Sequence, residues 1–567
     1  MDELKVPAAS LAVISGGRVE WAKAYGYADK ETGVKATPRT LFQAGSISKP
    51  VAATAVLRRV ESGALRLDTD VNAYLKSWKV PPGPLTAADG RKVTLERLLS
   101  HTAGLTVHGF PGYAPDEPVP TVLQVLDGAA PANTEAVRVD LEPGTKFRYS
   151  GGGYTVAQLV MTDTLGRPFP DLMRELVLAP AGMSRSTYEQ PLPPEKLRLA
   201  AAGYRRDGSA VPGKRHTYPE MAAAGLWTTA EDLARFAIAI GRSIRGDKGS
   251  LLSKEMAERM TTRVRKDADA GLGLFLSDHE GSTAFGHDGA DEGFQALLIS
   301  DRERGFGAAV MVNSDNGVQL GEEIIRGIAV ENGWNYLPRP LEPVPLAPAD
   351  LASLAGRYRL HGDEGLDLSV RGDRLLGGAG TPDEYELLPL SRELFARRDR
   401  EIRYRAEWNG PGGSISGISI LADGNTTPAP RVEEGVRFPS DFLAEGKIDE
   451  AVAAYRKLFS EKPADAGVAE GRLNNLGYRL AGEGPAGVPK AVAILKLNTE
   501  LYPRSANASD SLSEVYVTGG DRARGLEAAR KVLELLPADE KLDNATKERL
   551  RRIAEKRIRE LSPEAPR

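Results

Sequence analysis

The sequence predicts a multidomain α+β chain: a sheet flanked by helices, then a small antiparallel β-barrel or sandwich, then an α-helical region. Three observations predict it. At 567 residues the chain exceeds what a single hydrophobic core sustains. Strand-like and helix-like patterns alternate up to about residue 336, and short alternating strands take over after a proline-rich stretch. Near the C-terminus, two segments are related by a 34-residue spacing.

The first region spans 1–336. Residues 8–15 and 18–26 read as two strands joined at Gly16-Gly17, a pair suited to a tight hairpin. Residues 51–65 carry apolar side chains at three- and four-residue spacing with Gly63 near the end, the mark of an amphipathic helix. Residues 294–300 and 307–313 are apolar strand runs around the turn Asp301-Arg302-Glu303-Arg304-Gly305. Strands at both ends with helices between predict one sheet whose first and last strands pair.

Residues 337–349, with Pro338, Pro340, Pro343, Pro345 and Pro348, read as a linker. Over 350–434 short alternating runs (358–360, 366–370, 402–408, 415–421) predict an antiparallel β-domain. Over 435–567 the pattern is helical. Leu501-Tyr502-Pro503 recurs as Leu535-Leu536-Pro537, and Gly446 to Pro463 matches Gly520 to Pro537, each 17 apart. That is the period of tetratricopeptide-like hairpins. The unit from Asn474 to Pro503 fits less well, because extra Gly and Pro intervene around 482–489.

Composition excludes several functions. With 74 Lys+Arg against 78 Asp+Glu the net charge is -4, which gives nucleic acid or an anionic membrane no footprint. No cysteine is present, so disulfides, thiolate metal sites and a cysteine nucleophile are out. No run of 18 apolar residues suggests a membrane span. Met1-Asp2-Glu3-Leu4-Lys5 lacks the basic and apolar parts of a signal peptide, which leaves the compartment open. Neither clustered metal ligands nor a Walker-type loop occurs, so no metal or other cofactor is expected.

The strongest local signal is Ser46-Ile47-Ser48-Lys49 at a helix start. Residues three apart share a helical face, so the Ser46 hydroxyl and the Lys49 amine can meet. A serine hydroxyl needs a base to become a nucleophile, and a lysine serves when burial lowers its pKa. The helix N-terminus favours the developing alkoxide. Alone, Ser-x-x-Lys arises by chance about once or twice in a chain of this length.

Its companions change the odds. After Phe42-Gln43-Ala44-Gly45-Ser46-Ile47-Ser48-Lys49 come Leu98-Leu99-Ser100-His101-Thr102-Ala103-Gly104-Leu105, Phe147-Arg148-Tyr149-Ser150-Gly151, Ala223-Ala224-Gly225-Leu226-Trp227-Thr228-Thr229 and Gly286-His287-Asp288-Gly289. Over about residues 6–334 this resembles the β-lactamase-related serine hydrolases: class C β-lactamases, D-alanyl-D-alanine carboxypeptidases, D-aminopeptidases and related esterases. The resemblance implies a β-lactamase/transpeptidase-like sheet. It makes Ser46 the acylated nucleophile, Lys49 its proton acceptor and Tyr149 a proton carrier. His287 and Gly289 match the third motif on an edge strand, and the backbone N–H groups of Ser46 and Ala290 would form the oxyanion hole. It also implies a lipocalin-like β-domain and a periplasmic or secreted home.

Two departures stand out. Gly151 occupies the substrate-contacting position where the family often has asparagine, and His287 stands where the third motif opens with lysine. A histidine is mostly neutral at pH 7 and holds a substrate carboxylate less firmly than an ammonium does. Both favour esters or peptides over β-lactams.

Other candidates have plainer readings. His101 reads as a residue that fixes its loop rather than a proton carrier, and Trp227 and Tyr154 as packing or pocket wall. Asp288 points away from the pocket by strand alternation. His108, Tyr113 and the loop to Pro120 read equally as a pocket rim or a surface loop.

The expected function is a serine hydrolase working through an acyl-enzyme on Ser46, with small esters or D-residue peptides as substrates. Two alternatives stand beside it: a class C-like β-lactamase with weak turnover, and a non-catalytic binding protein using its helical repeats. Those repeats suggest a protein partner or self-association, and the β-domain a cover for the cleft or an aid to assembly.

Overall fold

The computed structural model describes residues 1–567 apart from 84, 87–91, 280, 335–340, 379–383, 398–401, 411–412, 423–424, 543 and 563–567, and apart from the side chains of 544, 545 and 549. The chain divides into two units, Met1–Pro340 and Leu341–Arg567.

In the first unit β1 (Ala8–Ser15) and β2 (Arg18–Asp29) form the hairpin. Gly16 and Gly17 take φ of 56° and 71°, left-handed values that a residue with a Cβ avoids. The other strands are β3 (Val34–Lys35), β4 (Phe42–Gln43), β5 (Trp227–Thr228), β6 (Phe275–His279), β7 (Ser282–Asp291), β8 (Phe294–Asp301) and β9 (Gly307–Val312). The main sheet runs β3-β2-β1-β9-β8-β7-β6, so the first and last long strands pair, antiparallel, with Ala12 opposite Ala309.

Strand alternation assigns the sheet two cores. Ala8, Ala12, Ala309 and Met311 join the larger one, whereas Ala9, Leu11, Val13, Val310 and Val312 join the smaller. The helices that frame them are α1 (Ser48–Glu61), α2 (Gly151–Leu165), α3 (Met221–Ala224), α4 (Ala230–Arg245) and α5 (Gly317–Glu331). α4 packs on one face of β1 and β9, and α5 packs against β8 and β9. The apolar periodicity of 51–65 is thus realised as a helix from 48 to 61, preceded by a single 3₁₀ turn, Gly45–Ile47.

Of the proline-rich stretch, 337–340 lie outside the described residues, and Pro348 already opens α6 (Pro348–Leu354), since proline suits the first helical turn. Eight strands follow: β10 (Gly356–Arg359), β11 (Gly365–Arg371), β12 (Arg374–Gly377), β13 (Tyr385–Pro389), β14 (Leu394–Arg397), β15 (Arg403–Trp408), β16 (Ile415–Ala422) and β17 (Asn425–Pro430). Each pairs with the next, and a bridge between Tyr358 and Arg431 nearly closes the sheet into a barrel around Tyr358, Leu375, Phe395 and Ile418.

The helical part comprises α7 (Pro439–Ala444), α8 (Ile448–Glu461), α9 (Glu470–Ala481), α10 (Val488–Leu501), α11 (Ala506–Thr518), α12 (Arg522–Leu535) and α13 (Asn544–Leu561). The 34-residue recurrence falls on the C-terminal ends of α10 and α12. Barrel and helices belong to one unit. Asp363, buried before β11, takes the Arg472 guanidinium of α9 at 3.0 and 3.1 Å and the Tyr455 hydroxyl of α8 at 3.3 Å. No helix among the described residues is long and apolar enough to cross a membrane.

Candidate active site

The nucleophile turn is fixed before any chemistry begins. The Ser48 hydroxyl donates to the Gly45 carbonyl at 2.6 Å and accepts the Leu226 N–H at 2.9 Å, while Tyr188 donates to the Ser48 carbonyl at 2.7 Å. All of these groups are buried, so each bond resists exchange with water. Ser46 stays partly exposed in the middle of this frame.

The Lys49 amine lies one turn on and donates to Ser46 Oγ at 2.8 Å and to the Ala223 carbonyl of α3 at 2.8 Å. At 2% exposure it has no bulk water to solvate a charge. Burial therefore pulls its pKa down from 10.5 to about 7, against a smaller opposing pull from the Asp291 charge. An amine with its pKa brought down this far can accept a proton near pH 7.

Tyr149 ends the segment leading into α2. Its hydroxyl shares a hydrogen bond with Ser46, and burial pushes its pKa well above the ordinary 10. The phenol therefore stays protonated at neutral pH, and no neighbouring cation draws out a phenolate. The Lys49 amine sits 4.9 Å from its ring centroid. His101 grips this segment on both sides: its carbonyl accepts the Arg148 N–H at 2.8 Å, its Nδ1 accepts the Ser150 N–H at 3.0 Å. Its ring stacks on Tyr149 with centroids 4.2 Å apart. Because a backbone N–H only donates, Nδ1 carries no proton, and burial holds the imidazole neutral.

The third motif lies on β7. β6 pairs with β7 only as far as Gly286, so residues 287–291 leave that strand edge open. A methyl group on Gly289 would lie 1.9 Å from the Ala44 carbonyl oxygen, and one on Gly45 2.5 Å from the Ala290 nitrogen. The backbones of 44–46 and 289–290 thus touch, and the N–H groups of Ser46 and Ala290 belong to these two contacting walls.

His287 is buried, and its Nδ1 contacts the Asp288 carbonyl at 2.5 Å. A carbonyl only accepts, so Nδ1 holds the proton and Nε2, which has no partner among the described residues, is an acceptor. Burial lowers its pKa to about 3, with the Lys49 charge adding to the effect. In this state His287 cannot donate to a carboxylate.

Gly151 also differs from its expected substrate contact. Its N–H is spent on the His108 carbonyl at 3.0 Å, and a Cβ would lie 2.9 Å from the Phe110 ring. The position is packed shut, which leaves no room for an amide. Asp288 points outward and is exposed, as alternation requires. His108 is exposed on the rim, 4.9 Å from the Tyr149 ring, whereas Tyr113 is buried and accepts the Asn133 N–H. Trp227 packs edge-on against Phe294, and Tyr154 donates to the Leu99 carbonyl.

Two residues escaped the reading of the sequence: Glu220 and Asp291. Both are buried; among the described residues no side chain hydrogen-bonds their carboxyl groups, and only a backbone N–H, that of Gly45 for Asp291 and its own for Glu220, lies near enough to favour the charged form. Among the described residues no cluster of three or more ligating side chains could hold a metal ion.

The sequence profile of the Beta-lactamase family matches residues 1–332. Among curated proteins, "Penicillin-binding protein 4" of Amycolatopsis lactamdurans is 30% identical over 391 residues, covering 64% of this chain and 95% of that one. Among solved structures, the octameric penicillin-binding protein homologue from Pyrococcus abyssi aligns over 76% of this chain and 97% of that one, at 24% identity and a TM-score of 0.52. The last similarity speaks for the fold alone.

Proposed function

This chain belongs to the beta-lactamase family of serine hydrolases, and on that premise we propose that it hydrolyses small carboxylic esters or amide bonds through an acyl-enzyme on Ser46. The observation that carries this reading is the Lys49 amine, buried to the point of neutrality near pH 7 and donating to Ser46 Oγ at 2.8 Å.

Ser46 Oγ attacks the carbonyl carbon while its proton passes to Lys49. The oxyanion is held by the N–H groups of Ser46 and Ala290, the largest electrostatic contribution in such reactions. Tyr149, protonated, gives its proton to the departing alcohol or amine and is restored from the Lys49 ammonium. This leaves the acyl group on Oγ and both side chains neutral. Water then attacks the ester, giving up its proton by the same route, and the acid leaves.

Acceptor chemistry at His287 and the packed Gly151 argue for substrates without a carboxylate beside the scissile bond, such as simple esters and D-residue amides. A second reading has one support, the penicillin-binding name of the Amycolatopsis relative: β-lactams would acylate Ser46 and leave slowly.

A panel of p-nitrophenyl esters, D- and L-amino-acid amides and nitrocefin, run on wild type and Ser46→Ala, tests both. We expect ester or amide turnover to fall by at least about a thousandfold in the variant. Nitrocefin turnover matching that of the esters overturns the preference. A folded protein whose Ser46 takes no fluorophosphonate is a binding module instead.

A further inference from the structure

Resting on acylation of Ser46 through Lys49, we infer that Asp291 and Glu220 are a buried acid pair that governs the proton on the Lys49 amine, acting as positioning residues for the reaction.

The two acids lie on different elements that adjoin the Lys49 turn. Glu220 immediately precedes α3; its carbonyl accepts the Ala223 and Ala224 N–H groups at 2.9 and 3.0 Å. The same turn's Ala223 carbonyl takes the Lys49 amine. Asp291 ends β7 on the inward face it shares with His287 and Gly289, whose backbone touches that of Ala44 and Ser46. Glu220 is 0% exposed and Asp291 6%.

A buried carboxylate that has no more than one backbone N–H to solvate it is costly, so each acid is driven toward its protonated form. Burial pushes Glu220 to about 8 and Asp291 well above its usual range. The Lys49 charge draws Asp291 back, and the Glu220 charge raises it further. Of the other titratable groups around the trio, Tyr149, Tyr154 and Tyr218 are pushed up and His101 and His287 down, all by burial, so these are neutral at pH 7. Tyr113, which feels Glu220, is also raised, while Asp288, raised to about 6 by desolvation, acts on Tyr149 and Glu292 acts on Tyr218. Lys49, Asp291 and Glu220 therefore titrate as a coupled set.

The coupling gives opposite signs at its two ends. Removing the Asp291 charge takes away what stabilises the ammonium, so the acid limb of acylation moves to lower pH. Removing the Glu220 charge lets Asp291 ionise sooner, so the limb moves to higher pH. With both removed, the limb follows Asp291→Asn.

The test uses the full-length protein and p-nitrophenyl acetate. The acylation rate constant is followed from pH 5 to 9 in wild type, D291N, E220Q and the double variant. Burst amplitudes count the acylating fraction, so a poorly folded variant does not distort the limb. The expected shifts are on the order of one pH unit, down for D291N and up for E220Q. Limbs that coincide, or move the same way, overturn the inference and leave the acyl-enzyme reading standing. Wild type that shows no burst at any pH sinks that reading and takes this inference with it.

Discussion

Two cationic side chains, the buried Lys49 in one unit and the half-buried Arg472 in the other, have opposite surroundings. Arg472 is matched: its guanidinium engages both Asp363 oxygens and also reaches Glu364. Lys49 is unmatched, with only a hydroxyl and a carbonyl as acceptors and no carboxylate in hydrogen-bond contact. The matched pair joins β-strands to helices within its unit. The unmatched amine has no counter-ion in contact among the described residues, so burial brings its pKa down to about 7. Buried charge serves cohesion when satisfied and chemistry when not.

Three substitutions sharpen or break this contrast. Lys49→Met should cut ester turnover by about a thousandfold or more and yet stabilise the fold at pH 6. With a folded pKa of about 7 against 10.5, the unfolded chain holds the extra proton between those values, so the penalty is full below pH 7 and fades as pH approaches 10.5. Thermal melts at pH 6 and pH 10 check it: the gain should shrink at the higher pH, and a variant that melts earlier at pH 6 breaks the comparison. Gly289→Ala, whose methyl meets the Ala44 carbonyl, should lower kcat by about 10²–10³ through the displaced oxyanion wall. Asp363→Asn should cost about 2–3 kcal/mol in urea unfolding, less than a fully buried pair because Arg472 is about a third exposed, and should leave ester turnover within about twofold. An activity loss as large as the others would erase the division of labour.

Much of this was legible in the residues. Ser46, Lys49 and Tyr149 were picked out by ordered motifs, and the pairing of the first and last long strands by apolar runs at both ends of the first region. Glu220 and Asp291 were not, though one signal was available: the alternation that turns Asp288 outward turns Asp291 inward. Glu220 carried no such mark, because its burial arises where α3 meets the nucleophile turn, distant in sequence. What surrounds Gly151, assigned a substrate contact, was hidden for a similar reason, since Phe110 and the His108 carbonyl fill that space from a separate loop. In the second unit, sequence texture separated β-strands from helices at about 434, but the Asp363–Arg472 link that crosses this boundary is invisible to local pattern.

The bare contact between Gly45 and the Gly289–Ala290 backbone has a practical corollary. Main chain rests on main chain there, so the spacing of the Ser46 and Ala290 N–H groups is set by backbone contact and is insulated from side-chain drift. Side chains that are free to vary lie at the periphery instead: His108, and Phe275 of β6, whose ring centroid is 6.3 Å from that of Tyr149 and 5.1 Å from that of His287. Libraries meant to redirect this scaffold should diversify those margins and leave both glycines alone.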